Sequence, residues 1–150
     1  MMKTIITLLL LFVGPFAFAQ QFSDKMKDAF KTDNAAVLLA EIKAQKANAG
    51  DCFDVEGVSY SLLSISIKMQ RPQIFSALIA AKADVNKICN DKSPLMYAAK
   101  YGQLDFAKAL VKAGADAALA NKEGQTALSY ATKYDKKEVQ AFLSTIKTTK

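Results

Sequence analysis

The sequence predicts an all-α solenoid, about four stacked helix-turn-helix units joined by extended finger loops. Three observations predict it. Residues 93–121, SPLMYAAKYGQLDFAKALVKAGADAALAN, hold two short helices with apolar faces, each followed by a glycine, Gly102 and Gly114. The pattern then recurs. A shift of +33 takes Ser93 to Thr126, Leu95 to Leu128, Ala98 to Ala131, Tyr101 to Tyr134 and Leu110 to Leu143, and a shift of −32 takes the same positions to Ser61, Leu63, Ser66, Met69 and Leu78. Finally, neither short helix can bury its apolar side alone, whereas units repeating at such a period bury a continuous core by stacking.

Residues 1–19 stand apart from this array. Lys3 gives a positive start, residues 5–13 form an apolar run of h-region length, and Ala17-Phe18-Ala19 is an A-x-A cleavage site, so a secretory signal peptide is expected. The run is short for a bilayer span, and no cysteine follows to take a lipid. The mature chain is expected to be one domain, residues 20–150, periplasmic or secreted, with no stable membrane insertion after cleavage.

Within it the units are expected at about 22–51, 52–84, 85–116 and 117–150. Residues 22–32 read as the first helix, with Ser23 or Asp24 as N-cap and Met26, Ala29 and Phe30 on one side. Asp33-Asn34 takes the turn that Gly102 makes later. Residues 37–47 are the second helix, with Val37, Leu38, Ala40 and Ile42 toward the stack, and the extra residues before Gly50-Asp51 read as one further helical turn. Residues 53–60, with Gly57 near the turn, form the first finger. Residues 60–69 and 73–81 make the second helix pair, with Pro72 favouring the start of the latter. In the last unit Asp135 stands for Gly102, and Val139, Phe142, Leu143 and Ile146 face inward from an otherwise polar helix, as a terminal cap requires.

The stretches SPLMYAAKYG and AGAD, ending at Gly102 and Asp116, resemble the T-P-L-H-x-A-A-x-x-G and G-A-D motifs of the ankyrin repeat. The resemblance covers Ser61 to about Leu143, and residues 24–51 more loosely. It departs from the pattern at Gln70 and Lys82, where glycine is expected. The motif histidine is replaced by Ser64, Met96 and Ser129, so the hydrogen bonds by which it ties units together are expected to be weakened or replaced. The resemblance implies a protein-binding module. Its groove would be lined by Lys68-Met69, Lys100-Tyr101 and Lys133-Tyr134, which follow the small-residue pair of each first helix in register. Ile88, Asn90 and Lys92, then Leu119, Lys122 and Glu123, would form the other wall from the fingers, with exposed Ile88 and Leu119 suiting a protein contact. Tyrosine offers flat apolar area and a hydroxyl at little entropy cost, and lysine steers an acidic partner. Ordinary helix ends, with lysine favourable near the C-terminal dipole, explain the same residues and stay open.

No histidine occurs, which removes Ser-His-Asp and Cys-His catalysis and histidine-based metal sites. There is no P-loop and no G-x-G-x-x-G. Asp51, Asp54 and Glu56 lack a glycine-punctuated calcium loop, and two cysteines are too few for a thiolate cage. A monomeric, non-catalytic protein without cofactor or metal is therefore expected. Without Lys3 the 20 basic residues become 19 against 14 acidic ones, and they are too dispersed for a nucleic-acid arm or membrane patch.

Cys52 and Cys89 lie in consecutive fingers and would meet an oxidising compartment. Counted from Asp51 and Asp84, however, Cys89 is four residues farther along its finger. At about 3.3 Å per extended residue, that offset exceeds the Cα–Cα limit of roughly 7 Å for a disulfide. The register argues against a bridge and for a buried Cys52 in the place of Val85, with Cys89 separate. A second function, redox or oxidative-stress protection through these two cysteines, stands beside the binding module.

Overall fold

A hydroxyl starts the first helix of each pair. Ser23, Ser61, Ser93 and Thr126 are extended, and their side chains accept the backbone N–H of Met26, Ser64, Met96 and Ser129. These caps open α1 (Asp24–Thr32), α3 (Leu62–Lys68), α5 (Pro94–Tyr101) and α7 (Ala127–Lys133). Ser64, Met96 and Ser129 occupy the motif-histidine position and serve their own helices. Ser64 Oγ pairs with Ser61 Oγ at 2.8 Å, Met96 Sδ accepts from the Ser93 N–H, and Ser129 Oγ accepts from the Thr126 N–H at 2.9 Å. The computed structural model describes residues 20–146; the expected signal peptide, residues 1–19, lies outside the described residues.

The second helices are α2 (Ala35–Ala44), α4 (Pro72–Ala80), α6 (Leu104–Lys112) and α8 (Lys137–Thr145). The turn before each is left-handed at Asp33 (φ 50°), Gln70 (φ 55°), Gly102 (φ 69°) and Asp135 (φ 53°). Position in the unit demands that backbone whether or not glycine fills it. The same holds after the second helix. There Lys46, Lys82 and Gly114 are left-handed, and the N–H of Ala47, Ala83 and Ala115 returns to the carbonyl of Ile42, Leu78 and Leu110. That cap ends α2 at Ala44, so the expected extra helical turn is absent. Residues 47–51 instead form a separate turn, closed by Asp51 N–H to Asn48 O and Asn48 N–H to Asp51 Oδ2.

A lysine in the left-handed region costs about 1 kcal/mol. Lys82→Gly is expected to raise stability by about 0.5–1 kcal/mol, read as a higher urea midpoint at unchanged slope.

The Asp33 carboxylate also caps α4 from a distance, accepting the N–H groups of Gln73 (3.1 Å) and Ile74 (3.0 Å), where Arg71 supplies no cap. Asp33→Ala should cost about 1–2 kcal/mol, and Asp33→Asn, which keeps an acceptor and tolerates the left-handed backbone, clearly less. Urea unfolding of the two variants side by side checks this.

The first finger departs from the all-α expectation. Strands β1 (Gln20–Gln21), β2 (Cys52–Val55) and β3 (Val58–Ser61) form a sheet in that order, parallel and then antiparallel. Glu56 and Gly57 both have positive φ, so the two-residue loop suits strand twist, and Asp54 accepts the Gly57 N–H at 3.1 Å. Phe53 is fully buried while Asp54 points to solvent, the alternation of a half-buried strand. Tyr60 and Ser61 consequently belong to β3, and α3 starts later than expected.

Consecutive helices pack as α1/α2, α3/α4, α5/α6 and α7/α8; α5 lies between α3 and α7, α2 packs on α4 and α6 on α8. Phe30, Leu62, Leu63, Ile74, Leu78, Leu95, Met96 and Leu110 fill the core, and Ala98, Ala99, Ala107 and Ala131, fully buried, let helices approach closely. Leu38 and Ile42 face inward as expected, but Val37 and Ala40 are exposed. At the far end Val139 and Leu143 are buried, with Phe142 and Ile146 packed against them.

Cys52 and Cys89 are joined in a disulfide, with Cα atoms 5.9 Å apart, against the expectation from register. That count assumed an extended second finger. The finger instead turns at once, with Lys87 N–H returning to Asp84 O, and turns again between Cys89 and Lys92, which exchange backbone hydrogen bonds around left-handed Asn90 and Asp91. The residues between Asp84 and Cys89 therefore advance much less than extended residues would. Other ties join successive fingers. Asn86 accepts the Asp116 N–H at 2.8 Å, and the buried Asn121 amide donates to Asp91 O at 3.1 Å.

Candidate functional site

All five tyrosines, Tyr60, Tyr97, Tyr101, Tyr130 and Tyr134, gather on one face. The helix geometry explains most of this. Tyr97 and Tyr101 are four apart on α5, Tyr130 and Tyr134 four apart on α7, and each pair is stacked with centroids 6.3 Å apart. Because α5 packs on α7, the two stacks stand side by side. Tyr60, on β3, adds a fifth ring 5.9 Å from Tyr97.

Lysines bridge these rings. Lys100 Nζ lies 5.5 Å from the Tyr101 ring and 5.4 Å from Tyr134, so it links neighbouring helices. Lys133 stands over Tyr134, Lys68 over Tyr60, and Lys92, from the second finger, lies between Tyr97 and Tyr130. Each such contact contributes about 0.5–1 kcal/mol at an exposed site. The larger consequence is positional, because the ammonium groups rest on an aromatic floor.

The floor and the rim differ. Tyr97 and Tyr130 are buried, while Tyr101, Tyr134 and Met69 are 36–38% exposed. Burial, then the neighbouring Tyr60, Tyr101 and Tyr130 phenols, push the Tyr97 hydroxyl well above its ordinary range. Tyr130 is raised in the same direction, by burial and then by Glu123, Tyr134 and Asp91. Both stay neutral at physiological pH, so neither phenol adds negative charge that would offset the lysines. The Tyr130 hydroxyl donates to Gln125 Oε1 at 2.8 Å, so its burial leaves no orphan donor.

At the Tyr60 end the face runs into an apolar cleft of about 160 Å³, lined by Phe22, Val55, Tyr60, Ile65, Lys68 and Met69.

The sequence of these capped helix pairs and fingers matches a family model described as Ankyrin repeats (3 copies), over residues 29–121 and 62–149. The chain belongs to the ankyrin-repeat family. No curated protein matches it. Members of this family generally act as protein–protein interaction modules.

On the ankyrin scaffold, Lys68, Lys92, Lys100, Tyr101, Lys133 and Tyr134 come together, with Met69 at the cleft. The remaining finger residues do not join them through these ring contacts. Ile88 and Leu119 are half-buried where exposed residues were expected, Asn90 sits in the tight turn, and Lys122 Nζ lies 3.9 Å from Asp91 Oδ1. Glu123 is exposed near Tyr130 and carries the opposite charge. Tyr60, Tyr97 and Tyr130 were not expected at the site, although Tyr97/Tyr101 recurs as Tyr130/Tyr134 at the period of the array. Among the described residues no group of acidic residues and cysteines is placed to hold a metal, and no helix is long and apolar enough to cross a membrane.

Proposed function

We propose that this ankyrin-repeat protein is an exported, non-catalytic adaptor that holds another protein against its tyrosine–lysine face. One observation carries the reading: rings from β3, α5 and α7 gather into one cluster, the two α-helical pairs bridged by Lys92 and Lys100, and four lysines lie over them. Aromatic rings of limited rotamer freedom, with cations held in place, suit protein recognition at low entropic cost. Residues 20–150 act in this reading as a monomeric array of four units, with the first and last pairs as caps. Export is supported by the signal-like residues 1–19 and by the disulfide, which belongs in an oxidising compartment. The role of the Cys52–Cys89 bridge here is to fix the finger that carries Lys92.

Cross-linked capture from a periplasmic extract tests the proposal. A partner band obtained with the natural protein and lost on reversing Lys68, Lys100 and Lys133 to glutamate supports it. The same band with both proteins removes this face from consideration.

A further inference from the structure

We infer that the occupant of this face is an acidic segment of the partner protein that inserts one aliphatic or aromatic side chain into the cleft at Val55, Ile65 and Met69. The inference rests on the binding reading above and adds the chemistry of the ligand. Charge decides the first half. Lys25, Lys27, Lys31, Lys122 and Lys137 have a carboxylate within 4 Å. Among the described residues none of the four face lysines, Lys68, Lys92, Lys100 and Lys133, has one, nor do several lysines elsewhere; what sets these four apart is that each is held over a tyrosine ring. Ammonium groups held over aromatic rings without a carboxylate partner keep their strongest acceptor vacant, and an incoming Asp or Glu supplies it. The two carboxylates that act on Tyr130 are engaged or marginal: Asp91 faces Lys122, and Glu123 is exposed.

The cleft decides the second half. Its walls are Phe22, Val55, Tyr60, Ile65 and Met69, and its one charged lining residue, Lys68, turns its Nζ over the Tyr60 ring, 5.1 Å from the centroid. An apolar hollow with a cation at its lip fits an apolar side chain followed by a carboxylate. From there the chain of rings leads through Tyr97 to Tyr101, Lys100 and Tyr134, so the anchored segment would meet the remaining lysines in turn.

The test is selection of a display library of random short peptides on the mature protein, residues 20–150, purified with its disulfide formed. The expected result is enrichment of peptides with several Asp or Glu residues around one Leu, Ile, Phe or Met. A synthetic consensus peptide should lose roughly tenfold or more in affinity when that apolar residue becomes Ser. It should lose a similar factor when Val55→Trp fills the cleft or Met69→Ala removes its exposed wall. Met69 is a rim residue, so its variant reports on the cleft even if Val55→Trp disturbs the hairpin. Acidic peptides without an anchor, or a consensus peptide indifferent to both cleft variants, overturn the inference. If that peptide still fails on the Lys68→Glu/Lys100→Glu/Lys133→Glu protein, the face reading survives. No enrichment over that variant overturns both.

Discussion

Replacing Cys52 and Cys89 together by serine is expected to cost roughly 3–4 kcal/mol of stability, because the bridge closes a long loop in the unfolded chain. The two cysteines are 37 residues apart in sequence, and on the chain-entropy account a loop of that size loses about this much freedom when cross-linked. For a domain of this size, the melting temperature should fall by roughly 10 °C or more. A reducing agent should produce the same fall in the natural protein and none in the double variant. The effect should be local before it is global, since the bridge holds the finger bearing Lys92 against the hairpin bearing Tyr60. Partner capture by the double variant should therefore weaken at temperatures where it is still folded. Equal melting temperatures for the natural and double-serine proteins would show that the bridge does not form in solution.

The second large effect concerns binding. Lys68→Glu/Lys100→Glu/Lys133→Glu should leave the helical circular-dichroism spectrum unchanged and reduce partner affinity by about a hundredfold or more. Folding should tolerate the change because Lys68 and Lys133 are exposed, Lys100 is half-buried, and among the described residues none has a carboxylate partner to lose. The stability lost is limited to cation–π contacts of about 0.5–1 kcal/mol each. Binding should not tolerate it, since three attractive charges become three repulsive ones on a single face. A Lys→Gln triple variant should fall between, and capture by the natural protein should weaken as added salt shortens the screening length from about 10 Å toward 3 Å. Affinity unchanged by charge reversal would mean that the partner does not use these lysines.

Much of the array was legible because its chemistry is local. Ser23 announces the first helix start, Pro72 announces another, and Asp33, Gly102 and Asp135 mark the turns between paired helices at a regular period. In each case the hydrogen bond that makes the feature closes within about five residues, so residue type and spacing suffice. The register of Lys100-Tyr101 with Lys133-Tyr134 was readable for the same reason.

The non-local features were not readable. The first finger became a hairpin, with Gln20–Gln21 beside it, because Phe53 found a buried place and β1 a partner strand. Asp33 caps a helix forty residues on. The disulfide formed because two turns shorten the second finger, and a count of residues does not measure reach once the chain turns. Tyr60 joined the ring cluster from a strand outside the helical period. The sequence by itself determined the repeat, the caps and the lysine–tyrosine register, all settled by bonds between near neighbours. Only the tertiary structure decided which fingers are cross-linked, what occupies the first finger and how five rings and four lysines become one cluster, because those depend on the path the backbone takes between units.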